Sequence, residues 1–351
     1  MRKKIAVIGG GIYGITVASK LAEKYSVDLF EEKEDILMAA SGINQFRLHR
    51  GYHYPRSEET TLSALKSEPK FKEEYRGAII EGFEHYYAIA RKNSLTTANQ
   101  YIEFLQKFAL KYSEEYPVTI DKSYLQLCVK VKESNIDPKA LYKVCWEKLN
   151  KRRINVLLKH RATKKILKKY DNAVVCTYAN INSFLNQESK AYQNYQFELC
   201  EKILAYLPKE FKNQSIVIMD GPFGCLDPYG KSDLFLLGHV NHAIHESNIG
   251  KIPLFDKKYE KLINNGIIKK PFKTHFQKFI KSMELYMPKI RQAEYFGSFF
   301  TFRVVVPKKE STDERLHYTS VVNKKIITVF SGKIANCVEA AEEVSLIIDR
   351  S

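Results

Sequence analysis

The chain has 351 residues, 44% of them hydrophobic, and carries a formal net charge of +16. This length allows two domains or one domain with a large insertion, and the hydrophobic content excludes a disordered chain. The apolar runs are too short to cross a membrane and no signal peptide precedes the first strand, so we expect a cytoplasmic protein without a membrane span.

The distribution of cysteine, histidine and lysine indicates which partners to expect. The six cysteines contain no Cys-x-x-Cys pair, and the spacing of His239, His242 and His245 does not place all three on one helix face. Both observations argue against a metal site. Lysines cluster over residues 159–169 and 269–281, but these segments contain no recognisable nucleic-acid module. We therefore expect no metal and no nucleic-acid partner, while the positive field would attract an anionic substrate.

The chain begins with the pattern of a dinucleotide-binding βαβ unit. Residues 4–8 form a short apolar strand, and Gly9, Gly11 and Gly14 follow with G-x-G-x-x-G spacing. Gly9 allows a tight turn, Gly11 lets a pyrophosphate approach the backbone, and Gly14 lets the helix pack closely on the strand. A second apolar run ends at Glu31, where this unit places an acid for the ribose hydroxyls. The pattern predicts a bound dinucleotide.

Three further residues complete the predicted nucleotide site. Ile12 and Tyr13 begin the helix, whose first amides and dipole would face the phosphates. Glu32 is the alternative acid if the second strand ends one residue later. A carboxylate at this position repels a 2′-phosphate, so the site disfavours NADP.

The elements after the βαβ unit are predicted from periodicity and from cap and turn signals. Asp137 and Pro138 have the residue types that cap and begin a helix. Residues 36–57 form a polar loop, and residues 184–214 are mixed and charged. The predicted strands cover residues 84–91, 125–131, 154–158, 173–178, 216–222, 234–239, 299–307 and 326–330. The predicted helices cover residues 58–80, 97–113, 272–287 and 334–348, together with the one that begins at Pro138.

Three distant pieces of the sequence, taken together, resemble a known family. The loop after the βαβ unit contains Ser41-Gly42-x-Asn44 and continues to His49-Arg50-Gly51-x-x-Tyr54. The Asp137-Pro138 helix leads to two predicted strands, and the chain closes with a strand, Ser331-Gly332 and a helix. This combination resembles the FAD-dependent oxidoreductases of the D-amino-acid oxidase superfamily, near glycine oxidase and L-2-hydroxyglutarate oxidase.

The resemblance implies an α/β fold with a discontinuous, Rossmann-type FAD domain (GR2-like). An α+β substrate domain, built on a mixed sheet, is inserted between the pieces of the FAD domain. The implied FAD domain consists of residues 1–82, 137–185 and 318–351. The implied substrate domain consists of residues 83–136 and 186–317.

The resemblance also implies cofactor contacts outside the glycine turn. Ser41 and Asn44 would lie along the pyrophosphate and the flavin edge, and a strand pair around Thr163 would contact the adenine side. Thr177 begins the segment Thr177-Tyr178-Ala179-Asn180, which takes the place of a glycine-containing stretch usual in the family.

The end of the chain would contribute the contacts to the flavin ring. By the resemblance, Gly332, Lys333 and Ile334 approach the ring at the start of the closing helix. Amides at a helix start stabilise negative charge, such as the charge that develops on reduced flavin.

Three residues are candidates for the chemistry. Arg303 resembles the arginine with which amino-acid oxidases of the superfamily bind the substrate carboxylate, and the alternative is a structural ion pair or a solvated side chain. His49 lies where some relatives attach FAD covalently, and the alternative is a histidine that hydrogen-bonds the flavin or a carbonyl group. His239, at the end of a predicted strand, would face the substrate pocket.

The implied activity is the oxidation of a C–N or C–O bond in a small polar substrate by hydride transfer to flavin N5. Amino acids, hydroxy acids and amino sugars are the substrate classes considered, and the electron acceptor stays open. Two alternatives are an NAD-dependent dehydrogenase built on the single Rossmann unit and a non-catalytic nucleotide-binding protein.

Overall fold

The computed structural model describes residues 2–307 and 314–350. The strands are β1 (Lys4–Ile8), β2 (Ser26–Phe30), β3 (Arg47–Leu48), β4 (Ile79–Ile80), β5 (Glu84–Ala90), β6 (Tyr112–Glu114), β7 (Leu125–Val131), β8 (Ser134–Ile136), β9 (Asn155–Leu157), β10 (Asn172–Val175), β11 (Tyr195–Tyr206), β12 (Gln214–Met219), β13 (Gly224–Pro228), β14 (Leu234–His239), β15 (Ile244–Gly250), β16 (Glu294–Val305), β17 (Tyr318–Val321) and β18 (Ile326–Phe330). The α-helices are α1 (Ile12–Leu21), α2 (Glu58–Glu74), α3 (Ala98–Lys107), α4 (Pro138–Lys151), α5 (Lys164–Leu167), α6 (Phe276–Met283) and α7 (Cys337–Asp349).

The first sheet has six strands in the order β17-β18-β10-β1-β2-β9, and every pair except β17 with β18 is parallel. Strand β1 is apolar and buried because both faces of the sheet are covered. Helices α1, α4 and α7 pack on one face. Tyr195, Phe197 and Val304, from two strands of the second sheet, pack on the other face. The strands of the first sheet come from three separate stretches of the chain.

The second sheet has nine strands in the order β15-β11-β14-β13-β12-β5-β7-β6, with β16 paired to β11. It is mixed, because β5 and β12 are parallel while the other pairs are antiparallel. Alternate residues of β5 and β12 face opposite sides, where one set packs with α6 and the other packs with α3. This sheet confirms the predicted α/β fold with a mixed second sheet. The domain boundaries themselves stay a prediction.

A small third sheet, β3-β8-β4, lies where the loop after the βαβ unit meets the second sheet. Arg47 of β3 pairs with Asn135 of β8, whose side chain bonds His85 of β5. The loop is therefore fixed to both larger sheets. None of the helices in the described part of the chain is long and apolar enough to cross a membrane.

Several predicted elements differ from the structure in length or type. The helix predicted over 97–113 ends at Lys107, because Ala109 adopts a left-handed φ of 50° and Tyr112–Glu114 pairs with β7. The helix predicted over 272–287 is only α6, and the closing helix starts at Cys337 after a 3₁₀ turn. The segment left mixed over 184–214 contains β11, a twelve-residue strand.

Candidate active site

The glycine turn lies at the carboxyl end of β1, where the strand order of the first sheet reverses. Strand β1 pairs with β2 on one side and β10 on the other. Gly9 has a left-handed φ of 105°, and a Cβ there would lie 2.6 Å from the carbonyl oxygen of Cys176, just after β10. In open α/β sheets, ligands bind in the crevice at such a reversal. The predicted nucleotide turn therefore occupies the expected ligand-binding position of the fold.

The other two motif glycines are required for different reasons. A Cβ at Gly14 would overlap the carbonyl oxygen of Gly9, so Gly14 permits the close packing of α1 on β1. A Cβ at Gly11 would meet only the Ser41 side chain, with Oγ at 3.0 Å, and otherwise open space. The Ile12 amide, at the start of α1, donates to the same Ser41 Oγ at 3.0 Å. Gly11 thus has the open backbone face that a phosphate group requires.

Glu31, rather than Glu32, is the acid that reaches the glycine turn. The Glu31 carboxylate accepts hydrogen bonds from the Gly10 amide at 2.6 Å and the Lys33 amide at 2.8 Å. Burial raises the pKa of Glu31, and these two amides oppose that effect by stabilising the charged form. Glu32 points elsewhere, with Oε2 lying 3.8 Å from Nε of the exposed Arg161. The structure therefore favours the first of the two predicted acids.

The late segment of the chain closes onto the first helix, as the resemblance implies. The Tyr13 hydroxyl donates to the carbonyl oxygen of Lys333 at 2.5 Å. The Asn336 side chain donates to the Ser63 hydroxyl at 2.8 Å. Ile334 begins the 3₁₀ turn that precedes α7, so the predicted position of the helix start is three residues early. Pieces more than 300 residues apart in sequence thus form one wall of the site.

Asn44 and Thr177, two further candidates for cofactor contacts, differ in whether their polar atoms already have hydrogen-bond partners. Asn44 bonds the backbone of its own loop, donating to the carbonyl oxygen of Ser41 at 2.9 Å and accepting from the Phe46 amide at 2.7 Å. Asn44 therefore shapes the loop that presents Ser41. Thr177 directly follows Cys176 beside Gly9, and its Oγ1 is buried without a hydrogen-bond partner among the described residues. A buried hydroxyl of this kind calls for a polar partner.

Thr163 lies in the connection between β9 and β10, the two strands predicted on either side of it. It is exposed and caps the four-residue helix α5, where its hydroxyl accepts from the Ile166 amide at 3.4 Å. A threonine followed by Lys164 and Lys165 favours a capped helical turn over strand pairing. Any contact between Thr163 and adenine stays a prediction.

A cavity of about 150 Å³ lies beside Gly332 and contains Arg303. The guanidinium of Arg303, on β16, forms an ion pair with the nearly buried Glu198 on β11. A second guanidinium, that of Arg315, also lines this cavity. Two guanidinium groups therefore share this small cavity with the carboxylate of Glu314, which also lines it.

Tyr178 lines the same cavity and belongs to the segment that takes the place of the family's glycine-containing stretch. Its φ is 48°, a left-handed conformation that costs a tyrosine energy. The Tyr178 hydroxyl accepts from the Val304 amide at 2.8 Å and faces the Val304 carbonyl oxygen at 3.2 Å. These bonds hold the strand that carries Arg303 against the first sheet.

His49 lies in a polar group that adjoins the late segment at Lys333. Its Nδ1 lies 3.3 Å from the Tyr87 hydroxyl and 3.9 Å from Oε2 of Glu133. Its ring packs against those of His53 and Tyr54, and the Lys333 ammonium lies over the Tyr54 ring. Burial, followed by the charges of His53 and Lys333, holds the pKa of His49 well below its usual value. The imidazole is therefore neutral at neutral pH.

His239 lies apart from this group, packed against α6. Its Nε2 lies 2.9 Å from the Ser282 hydroxyl, and its Nδ1 accepts from the amides of Asn241 and His242. Burial lowers the pKa of His239 to about 3. The His239 ring therefore packs on the side of the second sheet that faces α6. The structure does not bring it to the cavity beside Gly332.

A second histidine group combines Glu201 with His245 and His275. The two rings are stacked at 3.9 Å with only 5° between their planes, so in-plane lone pairs cannot converge on one ion. Both oxygens of Glu201 are already bonded, by His245, the His275 amide, Thr274 and Ser298. This geometry is that of a hydrogen-bonded anchor for the segment before α6.

A larger open groove, of about 670 Å³, adjoins the cofactor loop. It lies between the loop over residues 34–42, the start of α4 and Tyr229 of the second sheet. Ser41 lines the groove and also bonds the first amide of α1. The groove is therefore continuous with the nucleotide-binding turn.

Sequence reasoning missed Glu133, Tyr87 and Arg315. Glu133 stands between lysine and serine after a strand and has the local pattern of an exposed turn. Tyr87 has the pattern of an ordinary core residue in an aromatic strand. Tyr178, which lines the cavity, had a signal in the sequence, because it belongs to the segment that replaces the family's glycine-containing stretch.

These features together fit FAD. The open face at Gly11, the α1 amides and Ser41 suit a pyrophosphate, while Glu31 suits ribose hydroxyls. The partnerless hydroxyl of Thr177 and the late segment at Gly332 and Lys333 extend the site beyond the dinucleotide turn. A single Rossmann unit would not require this late segment.

Comparisons with known proteins agree with the geometry. Residues 4–177 match the family described as DAO, FAD dependent oxidoreductase. The FAD-dependent monooxygenase FPY4 of Fusarium mangiferae is 36% identical over 114 residues, which cover 32% of this chain and only 31% of that protein. The FAD-dependent monooxygenase kojA of Aspergillus flavus is 22% identical over an alignment that covers 99% of this chain and 86% of that protein.

The fold also has solved counterparts. The crystal structure of glycine oxidase from Geobacillus kaustophilus superposes with a TM-score of 0.73 at 13% sequence identity, covering 99% of this chain and 95% of that one. The family match supports FAD over the NAD alternative, and the shared fold extends through both sheets. Residues 4–177 of the chain therefore belong to the DAO family of FAD-dependent oxidoreductases.

Proposed function

We propose that this FAD-dependent oxidoreductase oxidises a C–N or C–O bond of a small anionic substrate. The observation that carries the proposal is the cavity of about 150 Å³ beside Gly332, which is lined by both Arg303 and Arg315. Amino acids and hydroxy acids have the carboxylate that such a pair of guanidinium groups would bind. Glycine oxidase, which shares the fold, is named for an amino acid.

The residues around the cavity would have different roles in substrate binding. A guanidinium group matches a carboxylate through two parallel hydrogen bonds, and Glu198 would hold Arg303 in the orientation that presents this group. Tyr178 lines the cavity, whose small volume of about 150 Å³ favours short side chains on the substrate. FAD, when bound, supplies the two-electron acceptor for a hydride. The acceptor that reoxidises it would be oxygen, a quinone or a protein.

A specific observation favours a second reaction. Two curated relatives are named FAD-dependent monooxygenases. Under this alternative, one atom of dioxygen would enter the product. Turnover under ¹⁸O₂ followed by mass spectrometry of the product distinguishes the two, because oxidation without insertion leaves the product unlabelled by the gas.

The test of the main proposal is anaerobic reduction of the bound flavin, followed by absorbance. Amino acids, hydroxy acids and amino sugars are offered in turn to the purified yellow protein. We expect bleaching with at least one carboxylate substrate. Purified protein that is colourless, or that no member of these classes bleaches, contradicts the proposal.

The role of Arg303 is tested with Arg303→Ala and a matched control. Losing a charge-assisted bidentate bond of about 1.5–3 kcal/mol is expected to raise KM for the carboxylate about 10- to 150-fold while the protein stays yellow. Arg291→Ala, at an exposed arginine outside the cavity, should leave KM unchanged. Unchanged kinetics in Arg303→Ala would reject the role.

A further inference from the structure

We propose that Glu133 acts through Tyr87 to fix the tautomer of His49, so that Nε2 of His49 is the base that accepts a proton from the substrate. This inference rests on the proposed function and extends it, because it assigns two positioning residues on the second sheet. Glu133 follows β7, Tyr87 lies on β5 and His49 follows β3, so three elements bring the group together.

The direction of the hydrogen bonds determines the tautomer. Glu133 Oε1 accepts from the Arg50 amide at 2.7 Å, and Glu133 Oε2 accepts from the Tyr87 hydroxyl at 2.7 Å. Because Tyr87 uses its only proton for Glu133, its oxygen offers a lone pair to His49 Nδ1, 3.3 Å away. Nδ1 must then carry the ring proton, and Nε2 retains the lone pair.

Opposing effects act on the Glu133 carboxylate, while the surroundings of His49 keep its imidazole neutral. Burial raises the pKa of Glu133, but the Arg47 guanidinium, the Arg50 amide and the Tyr87 hydroxyl each stabilise its charged form. The low pKa of His49, caused first by burial, leaves its ring uncharged near pH 7. The titratable and charged groups that surround His49 are Arg47, His53, Tyr54, His85, Tyr87, Glu133 and Lys333.

The position of His49 connects it to the cofactor wall. Its neighbours Tyr54 and Lys333 contact each other, and the Lys333 carbonyl accepts from Tyr13 in the first turn of α1. In the proposed step, the O–H or N–H bond of the substrate breaks and its proton moves to Nε2. The electron pair would stay on the substrate to form C=O or C=N, and FAD, when bound, would supply the acceptor for the hydride. The substrate is oxidised by two electrons and His49 gains one proton.

The first experiment measures the tautomer without any substrate. The FAD-loaded protein is labelled with ¹⁵N-histidine, and the His49 signals are assigned by their loss in His49→Asn. We expect a protonated Nδ1 and an unprotonated Nε2 in the wild type, and a mixture of tautomers in Tyr87→Phe. A wild-type ring protonated at Nε2 would overturn the proposal, whatever the substrate screen finds.

The second experiment measures the rate of flavin reduction by the best substrate of the screen. Tyr87→Phe is expected to reduce the rate about 10- to 100-fold, and His49→Asn about 100- to 10,000-fold, with the acid limb of the pH–rate profile displaced in Tyr87→Phe. Tyr101→Phe is the matched control, because Tyr101 is equally buried in the same cluster and bonds only the Tyr52 carbonyl oxygen. Equal effects in the two tyrosine variants would indicate a structural role only.

A third measurement separates the base from a covalent attachment. If His49 links the protein to FAD, acid-denatured wild type retains the flavin while His49→Asn releases it. That result would overturn the proposal, because an alkylated ring nitrogen cannot accept the substrate proton. We expect both proteins to release the flavin.

Discussion

The two large sheets of this protein are specified by different kinds of information. In the six-stranded sheet, Ile5, Ala6 and Val7 of the central strand are apolar and completely buried. In the nine-stranded sheet, Glu201, Asp227 and His85 are just as deeply buried. The first sheet is determined by short apolar runs and glycines, whereas the second depends on polar groups that find partners far along the chain.

This difference explains which parts of the second sheet are costly to disturb. Glu198 pairs with Arg303 over 105 residues, and Arg47 pairs with Asp227 over 180 residues. Each pair satisfies charges that would otherwise be buried alone, which costs several kcal/mol. The polar network therefore holds the second sheet to the cofactor loop and also supplies the groups that surround the candidate site.

The largest expected effect is a difference between substitutions at two glycines beside the first sheet, Gly14 and Gly11. Gly14→Val places a side chain on the Gly9 carbonyl, so we expect loss of folded protein in circular dichroism and solubility assays. Gly11→Val meets only the Ser41 side chain, so we expect a folded protein that retains no flavin. A Gly14→Val protein that melts like the wild type would show that the glycine turn does not specify this region.

The next effect concerns the buried ion pair between the cofactor loop and the second sheet. Arg47 and Asp227 have side chains only 1% and 0% exposed. Arg47→Met leaves the Asp227 charge buried alone, and we expect the free energy of unfolding in urea to fall by about 3–5 kcal/mol. Arg47→Met combined with Asp227→Leu should recover most of this loss. If the double variant is no more stable than Arg47→Met alone, the loss of stability is not due to the unpaired charge of Asp227.

A smaller effect, dependent on pH, is expected from His239 in the second sheet. Below pH 6.5 the unfolded chain binds a proton at this residue, while the native chain does so only near its lowered pKa of about 3. The native state therefore loses up to about 1.4 kcal/mol per pH unit as the pH falls through this window. His239→Gln should flatten the stability profile measured by urea unfolding. If stability changes with pH in the same way in the wild type and in His239→Gln, His239 makes no such contribution.

The smallest expected effect concerns the cap of α4, a helix that packs on the first sheet. Asp137 caps α4, accepting from the Lys139 and Ala140 amides at 2.9 and 3.0 Å. Asp137→Ala should lower the free energy of unfolding by about 1 kcal/mol, whereas Asp137→Asn, which can still cap, should cost less. Equal losses in thermal unfolding would indicate that charge rather than capping is responsible.

The sequence predicted the first sheet and the helices packed on it well, because the signals for these elements are local. The glycine turn and the cap at Asp137 depend on residues within a few positions, and Glu31 lies 21 residues after Gly10, close to the spacing that the βαβ unit requires. The sequence did not predict β11, because Glu198 and Glu201 interrupt its apolar pattern and their partners lie about 40 to 105 residues away. Glu133 was missed for the same reason, since a lone acid after a strand usually faces water.

The bond between Tyr13 and Lys333 constrains the order in which the protein can mature. The glycine turn is synthesised some 320 residues before its opposite wall. An incomplete nascent chain therefore has only half of the flavin compartment. A complete flavin site therefore requires translation of the closing segment, so flavin supply would act on chains that contain this segment and not on the βαβ unit alone.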